Sequence, residues 1–220
     1  MGKLIVLEGT DGSGKATQCA ALMERLQREH YDCRKVEFPR YTERSSALIQ
    51  MYLSGEFGEK PSDVNAFAAS TFYAVDRYAS YKQDWGNYYE GGGLVLADRY
   101  TTSNAVHQGA KLPEEARQHF FRWLFDFEYR LLELPEPDLV IYLDVPVDLT
   151  EINMHRRELL TNTEADIHEK DVEYLRACRI SAIDAAKQFG WRRIACTKDG
   201  KMRSIEDIHT DVYQAVKEIL

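Results

Sequence analysis

Cysteine, proline, basic charge and long apolar runs are all scarce in this 220-residue chain, and each scarcity removes a class of protein. The four cysteines, Cys19, Cys33, Cys178 and Cys196, are scattered with no C-x-x-C pair, which excludes a zinc knuckle and a thioredoxin-type motif and predicts reduced, mostly buried thiols. Six prolines and 13 glycines, beside 44% hydrophobic and 29% charged residues, exclude collagen-like, low-complexity and disordered chains. No uncharged apolar run approaches the roughly 20 residues of a membrane span. Met1-Gly2-Lys3 leads straight into a short apolar run with no signal-peptide core, so the expectation is a cytoplasmic protein with no membrane contact. Lys and Arg number 28 against 36 Asp and Glu, a formal charge of −8. That balance argues against a nucleic acid polymer as partner, because a phosphate backbone is held by clustered cations. An anionic ligand must instead be gripped locally, against the net field.

The runs that remain are short and regularly placed. Leu4 to Leu7, Lys35 to Phe38, Leu94 to Ala97, Leu139 to Leu143 and Arg193 to Cys196 are rich in β-branched and aliphatic residues. They alternate with stretches of helical period at Thr17 to Glu29, Val64 to Gln83, Pro113 to Leu132, Asp171 to Phe189 and Ser204 to Ile219. This alternation predicts one α/β domain over 1–220, a five-stranded parallel sheet with helices on both faces. Ser204 and Asp207 have the shape of a capping box, with Asp where Glu is preferred. Arg156 to Glu169, rich in charge, Thr and Asn, has no apolar face and reads as a solvated loop or a lid.

Between the first strand and the first helix stands Gly9-Thr10-Asp11-Gly12-Ser13-Gly14-Lys15-Ala16-Thr17. This G-x-x-x-x-G-K segment has the strand before and helix after that a phosphate-binding loop requires. Its glycines let successive backbone N–H groups turn inward onto phosphate oxygens, and Lys15 adds a charge for the β and γ phosphates. A Gly-rich turn with no ligand is the plain alternative. One position departs from the motif: Ala16 stands where Ser or Thr would offer Mg²⁺ a hydroxyl. Thr17 lies about 100° further round a helix and need not substitute. A metal would then depend on Asp98, water and the bound phosphates.

Three clusters point to a second ligand. Asp98-Arg99-Tyr100 follows the third strand, with a carboxylate for a metal's water shell and a guanidinium for an anion. Tyr73 and Arg77, four apart on the long middle helix, share a face suited to stacking a nucleobase and bonding its carbonyl edge. Phe38-Pro39-Arg40-Tyr41 adds an aromatic and basic loop at the end of the second strand. Each has a bland counterpart, respectively a surface ion pair, a core tyrosine with a surface arginine, and an ordinary loop.

Taken in order with Ser103-Asn104-Ala105-Val106-His107-Gln108-Gly109 and Pro137-Asp138-Leu139-Val140-Ile141-Tyr142-Leu143-Asp144, these segments resemble the thymidylate kinases, P-loop nucleoside monophosphate kinases, from the first strand to the last helix. The resemblance implies a P-loop NTPase fold and transfer of phosphate from ATP, with Mg²⁺, to dTMP. It implies that Gly9 to Thr17 cradle ATP, that Asp11 takes the acceptor's 3′ hydroxyl, and that Tyr73 stacks on thymine while Arg77 reads its O4. Asn104 and Gln108 would border the base, Phe38, Arg40 and Tyr41 the acceptor site, and Arg99 the acceptor's phosphate. His107 and His168 occupy positions that are usually tyrosine, and His168 falls where that tyrosine is thought to crowd the sugar's 2′ position.

Phosphoryl transfer needs positive charge around the moving group. Gly12 stands where some members of the family carry an arginine, so Arg156 and Arg157, at the start of the lid, join Lys15, Asp98 and Arg99 as the expected catalytic set. A phosphate acceptor, already largely ionised at neutral pH, needs no general base, and no triad or His-Asp relay is present. Glu8, just before the cradle, could act as a base in a deoxynucleoside kinase, the main rival; Ala16 lends something to a second rival, a non-catalytic nucleotide-binding protein. Thr197 to Lys201 is the expected place for adenine. The aromatic stripes on Val64 to Gln83 and around Phe120, Phe121, Trp123 and Phe127 suggest a dimer surface, with packing against the chain's own core as the plain alternative, and the resemblance implies a homodimer.

Overall fold

The computed structural model describes residues 1–151, 153, 167–168 and 171–220. Five parallel strands, β1 (Lys3–Glu8), β2 (Cys33–Glu37), β3 (Leu94–Asp98), β4 (Leu139–Asp144) and β5 (Arg192–Ala195), form a sheet in the order β2-β3-β1-β4-β5. Leu4, Ile5, Val6 and Leu7 of the central β1 are all fully buried, which is why this strand reads as a continuous apolar run and not as an alternation.

Successive residues still serve opposite faces. Leu4 and Val6, with Val95, Ala97, Val140 and Tyr142, pack into one core with Trp85, Phe120, Phe121 and Tyr174. Ile5 and Leu7, with Leu94, Leu96, Ile141 and Leu143, pack into another with Cys19, Leu22 and Leu26 of α1 (Lys15–Arg28) and with Ile208, Val212 and Val216 of the terminal helix. The sheet is therefore covered on both sides, as the alternation of segments predicts. All four cysteines are free thiols. No described helix is long and apolar enough to cross a membrane.

The middle of the chain is more broken than its periodicity suggests. A short α2 (Ala47–Leu53) precedes α3 (Ala66–Ser80), whose first turn is capped by the Asn65 side chain accepting from the Ala68 N–H. The expected helix to Gln83 widens into a π turn at Tyr81–Trp85 and resumes as α4 (Gly86–Glu90). α5 (Thr101–His107) had no amphipathic signature because six of its seven residues are buried. α6 (Glu114–Phe125) likewise widens at Asp126–Leu131. α7 (Val172–Phe189) and α8 (Ile205–Lys217) complete the layers; Ser204 Oγ accepts from the Asp207 N–H as the cap of α8. A small hairpin, β6 (Thr197–Lys198) with β7 (Lys201–Met202), separates β5 from α8.

Candidate functional site

Reversal of strand order about β1 opens a crevice at the carboxyl ends of the strands, the usual ligand position of such sheets. A cleft of about 1210 Å³ lies there. Its walls include Asp11 to Gln18 of the glycine loop and the first turn of α1, Phe38 and Tyr41 after β2, Tyr73 and Arg77 on α3, Asp98 at the end of β3 and Arg99 after it, and Ser103, Asn104, His107 and Gln108 on or just after α5. His168 and Asn153 also reach it. The chain thus gathers the loop and most of the expected acceptor residues around one space.

The loop is built by close contacts. A Cβ at Gly9 would sit 2.5 Å from Ser13 Oγ and 3.1 Å from the Leu143 carbonyl, so only glycine lets the loop lie on β4. Gly14 enters α1 with φ +89°, a left-handed conformation that costs glycine nothing. Lys15 is buried and its Nζ donates to the carbonyls of Gly9 at 2.7 Å and Thr10 at 3.0 Å. Burial, with the nearby Arg99 charge, lowers its pKa, while Asp11, Glu8 and Asp98 oppose the shift. Gly9 and Thr10, the first two residues of the loop, are not among the residues lining the cleft.

Arg99 is held through both its backbone and its guanidinium. Its φ is +68°, a strained left-handed value for a residue with a Cβ, and its N–H donates to the Leu7 carbonyl at 3.1 Å. Nη2 donates to Asp11 Oδ1 at 2.5 Å and Nη1 to His107 Nε2 at 3.1 Å. Glu8 lies 3.6 Å from Nη1. Burial alone would lower the Arg99 pKa, but the carboxylates of Asp11, Glu8 and Asp98 outweigh it and the net shift is upward. Arg99 is therefore a fixed positive charge at the mouth of the loop.

On the facing wall, Arg77 is fully buried, with Nε and Nη2 donating to Glu128 at 2.7 and 2.5 Å and Nη1 reaching the Tyr100 carbonyl at 3.4 Å. Glu128, which no motif marked, is the residue that aims Arg77; it also accepts from Thr101 Oγ1 at 2.7 Å. Asn104 Nδ2 donates to the Ser70 carbonyl, which fixes the orientation of its amide. Among the described residues neither amide atom of the buried Gln108 has a partner. Phe38 packs on Tyr100 with ring centroids 6.0 Å apart.

Two expectations need correction. Arg40, placed with the acceptor residues, is not among those lining the cleft. Its N–H donates to Asp76 Oδ2 at 2.9 Å, its Nη2 donates to Ser45 Oγ at 3.2 Å, and its Nε stands 3.5 Å from Asp76 Oδ1. The reason is Asp76, a carboxylate only 1% exposed one position before Arg77, which must find cations and donors to be buried at all. Thr197 to Lys201, expected beside adenine, are also absent from the lining, which at that end consists of Met202, Arg203, Ile205 and Ile208.

Glu8 is fully buried and occupied. Its Oε1 accepts from the Gly9 N–H at 2.9 Å, and its Oε2 from Thr102 and Ser103 hydroxyls at 2.9 and 2.7 Å. A carboxylate so saturated, and outside the cleft lining, is poorly placed to take a proton from a ligand hydroxyl.

His107 and His168 stack with centroids 5.6 Å apart and planes 12° from parallel. His168 Nε2 pairs with Tyr52 OH at 2.8 Å, and Lys111 Nζ donates to the same hydroxyl at 2.9 Å. Burial, then the Lys111 charge, lowers the His168 pKa to about 3; burial, then Arg99, holds His107 well below 6.5. Both imidazoles are neutral at pH 7. Burial also pushes Lys111 down to about 7.

Asp98, 5% exposed, offers one carboxylate to the cleft, whereas Ala16 offers no ligand atom. Among the described residues no three His, Cys, Asp or Glu side chains converge as metal ligands. This donor set fits Mg²⁺, which binds through a single carboxylate, water and phosphate oxygens, and does not fit a caged cation. Arg156, Arg157 and the remainder of the expected lid, His168 excepted, lie outside the described residues, apart from Ile167 at the cleft wall. Just before it, Asn153 Nδ2 donates to the Gly12 carbonyl at 2.8 Å, joining the segment after β4 to the tip of the glycine loop.

Known proteins resemble the chain along most of its length. The family model described as thymidylate kinase matches residues 7–212. A thymidylate kinase of Mycobacterium tuberculosis (strain CDC 1551 / Oshkosh) is 32% identical over 190 residues, covering 86% of this chain and 87% of the relative. A thymidylate kinase of Thermomicrobium roseum is 30% identical over 180 residues, covering 81% and 79%. A Pyrococcus horikoshii protein named "Probable thymidylate kinase" is 31% identical over 219 residues, covering 100% and 98%.

Proposed function

The chain belongs to the thymidylate kinase family, and from that premise we propose that it transfers the γ-phosphoryl group of ATP to dTMP, giving dTDP and ADP. The observation that carries this reading is a single cleft in which a phosphate loop faces a fixed arginine, while the nearest candidate base is already saturated. A phosphate acceptor is largely ionised at neutral pH and needs no base, whereas a nucleoside hydroxyl does.

In this mechanism the N–H groups of the loop and Lys15 bind the donor phosphates and carry charge that develops on them. Arg99 holds the dTMP phosphate in line, aimed by its bond to Asp11, which borders the sugar. Tyr73 stacks on the thymine ring, Arg77 donates to O4, and Asn104 and Gln108 border the base edge, with Phe38 and Tyr41 beside the nucleotide. Met202 and Arg203 flank the adenine. Asp98 would hold Mg²⁺ through water, and the ion would supply charge neutralisation at the donor phosphates. Arg156 and Arg157 supply the remaining cations.

We assign the protein to the cytoplasm, in keeping with its free thiols. We also assign it a homodimer through α3, whose Val75 and Tyr78 are 54% and 40% exposed. The deoxynucleoside kinase alternative is disfavoured by the occupied Glu8. A coupled assay with dTMP, dUMP, UMP and thymidine, each with ATP and Mg²⁺, tests the reading. Preferred turnover of dTMP supports it; turnover of thymidine with none of dTMP would establish the rival. ATP binding without turnover of any of the four would leave a nucleotide-binding protein.

A further inference from the structure

We infer that His107 is the positioning residue for Arg99, holding the guanidinium toward the acceptor phosphate through an imidazole that accepts at Nε2 and carries its proton on Nδ1, facing Cys178. The inference rests on the proposed acceptor role of Arg99.

The bonding is forced by chemistry. A guanidinium has only donors, so in the 3.1 Å contact Arg99 Nη1 donates and His107 Nε2 must accept. The single ring proton is then on Nδ1, which faces the Cys178 sulfur at 3.6 Å. Cys178 is fully buried and burial pushes its thiol pKa up, so the sulfur is a neutral, weak acceptor. The Tyr174 hydroxyl donates to the His107 carbonyl at 2.7 Å, fixing the backbone from which the ring projects. The stacked His168 ring covers one face. The charged and titratable groups around the imidazole are Arg99, Asp11, Lys15 and His168, with Cys178 and Tyr174 of α7; burial first, then Arg99, His168 and Lys15, lower its pKa against the opposing charge of Asp11.

Arg99 needs such a holder. Its Nη2 is taken by Asp11 and its backbone carries a positive φ, so the guanidinium plane is defined only when Nη1 is also held. Ser103 Oγ at 3.5 Å and Glu8 Oε1 at 3.6 Å from Nη1 are too far for a well-formed hydrogen bond, so neither does this alone. His107 completes a chain from α7 through Cys178 to the cation and on to Asp11 in the loop.

The experiment compares His107→Phe, which keeps a flat ring without an acceptor, with His107→Gln, whose amide oxygen reaches the Nε2 position. Loss of one hydrogen bond to a charged group predicts a fall of roughly tenfold in kcat/KM for dTMP in the Phe variant, with the KM for ATP unchanged within about twofold. The Gln variant should recover to within about threefold of wild type. Cys178→Ala, which retains the imidazole, should lower kcat/KM for dTMP in the same direction by a smaller factor. Nitrogen-15 NMR of the wild-type protein reads the ring directly: the Nδ1–H form is expected, and an Nε2–H form would overturn the inference whatever the enzyme turns over. Equal losses in the Phe and Gln variants with both KM values moving together, or no loss in the Phe variant, would also overturn it. Wild-type protein that ignores dTMP would instead remove the functional reading and leave the NMR result to decide His107.

Discussion

Glu128→Ala is the substitution that the buried architecture of the acceptor wall makes most costly. Glu128 is 0% exposed and Arg77 1%, and the carboxylate takes two guanidinium bonds, at 2.7 and 2.5 Å, and the Thr101 hydroxyl at 2.7 Å. Burial acts to lower the Arg77 pKa and Glu128 more than offsets it; without Glu128 the guanidinium, which holds its proton far above neutral pH, is left as a buried charge with no carboxylate beside it. An uncompensated buried charge costs about 3–5 kcal/mol. At about 2–4 °C per kcal/mol for a chain of this size, the melting temperature should fall by about 6–20 °C. Urea titration should show a lower midpoint with an unchanged slope. A double variant, Arg77→Met with Glu128→Leu, removes both charges and should recover most of the stability, because apolar replacement of a buried pair is often neutral. It should still lose about tenfold or more in kcat/KM for dTMP, through the missing donor to the base. A single variant within about 1 kcal/mol of wild type, or a double variant with full dTMP activity, would refute the reasoning.

Two further outcomes follow from the same geometry. Ala16→Ser returns a hydroxyl to the position after Lys15, and the Mg²⁺ concentration for half-maximal rate should fall by about threefold or more; an unchanged Mg²⁺ titration would mean that Asp98 and water already suffice. His168, with its pKa lowered to about 3 against about 6.5 in the unfolded chain, binds fewer protons folded than unfolded between those values. Its contribution is therefore complete above pH 6.5 and is lost as pH falls toward 3, at up to about 1.4 kcal/mol per pH unit. Chemical denaturation from pH 7 to 4 should show a shallower decline for His168→Phe than for wild type, and parallel curves would contradict the assignment.

The sheet was legible because burial on both faces leaves strands such as Leu4 to Leu7 with no polar positions to blur the pattern. The phosphate loop was legible because Gly9 and Gly14 are demanded by close approach and by a positive φ, constraints local enough to leave a motif. Helix α5 was not, since a segment beginning Thr101-Thr102-Ser103 and buried on nearly all sides has neither strong propensity nor an amphipathic stripe. Arg40 and Arg77 mark the limit for side chains. Both arginines lie in motif-like clusters, yet where each points is decided by a distant acid, Asp76 for one and Glu128 for the other. A pairing across 51 residues, such as Arg77 with Glu128, has no sequence spacing to reveal it. Lys111, Tyr52 and His168 were invisible as a group for the same reason.

The central claim is that the acceptor is a phosphate and not a hydroxyl, and phosphorus-31 NMR of the reaction mixture reads this bond by bond. With ATP, Mg²⁺ and dTMP, the account predicts loss of the dTMP monoester signal and growth of the coupled α and β signals of dTDP alongside ADP. A mixture in which dTMP stays intact while added thymidine gains a new monoester signal would contradict it.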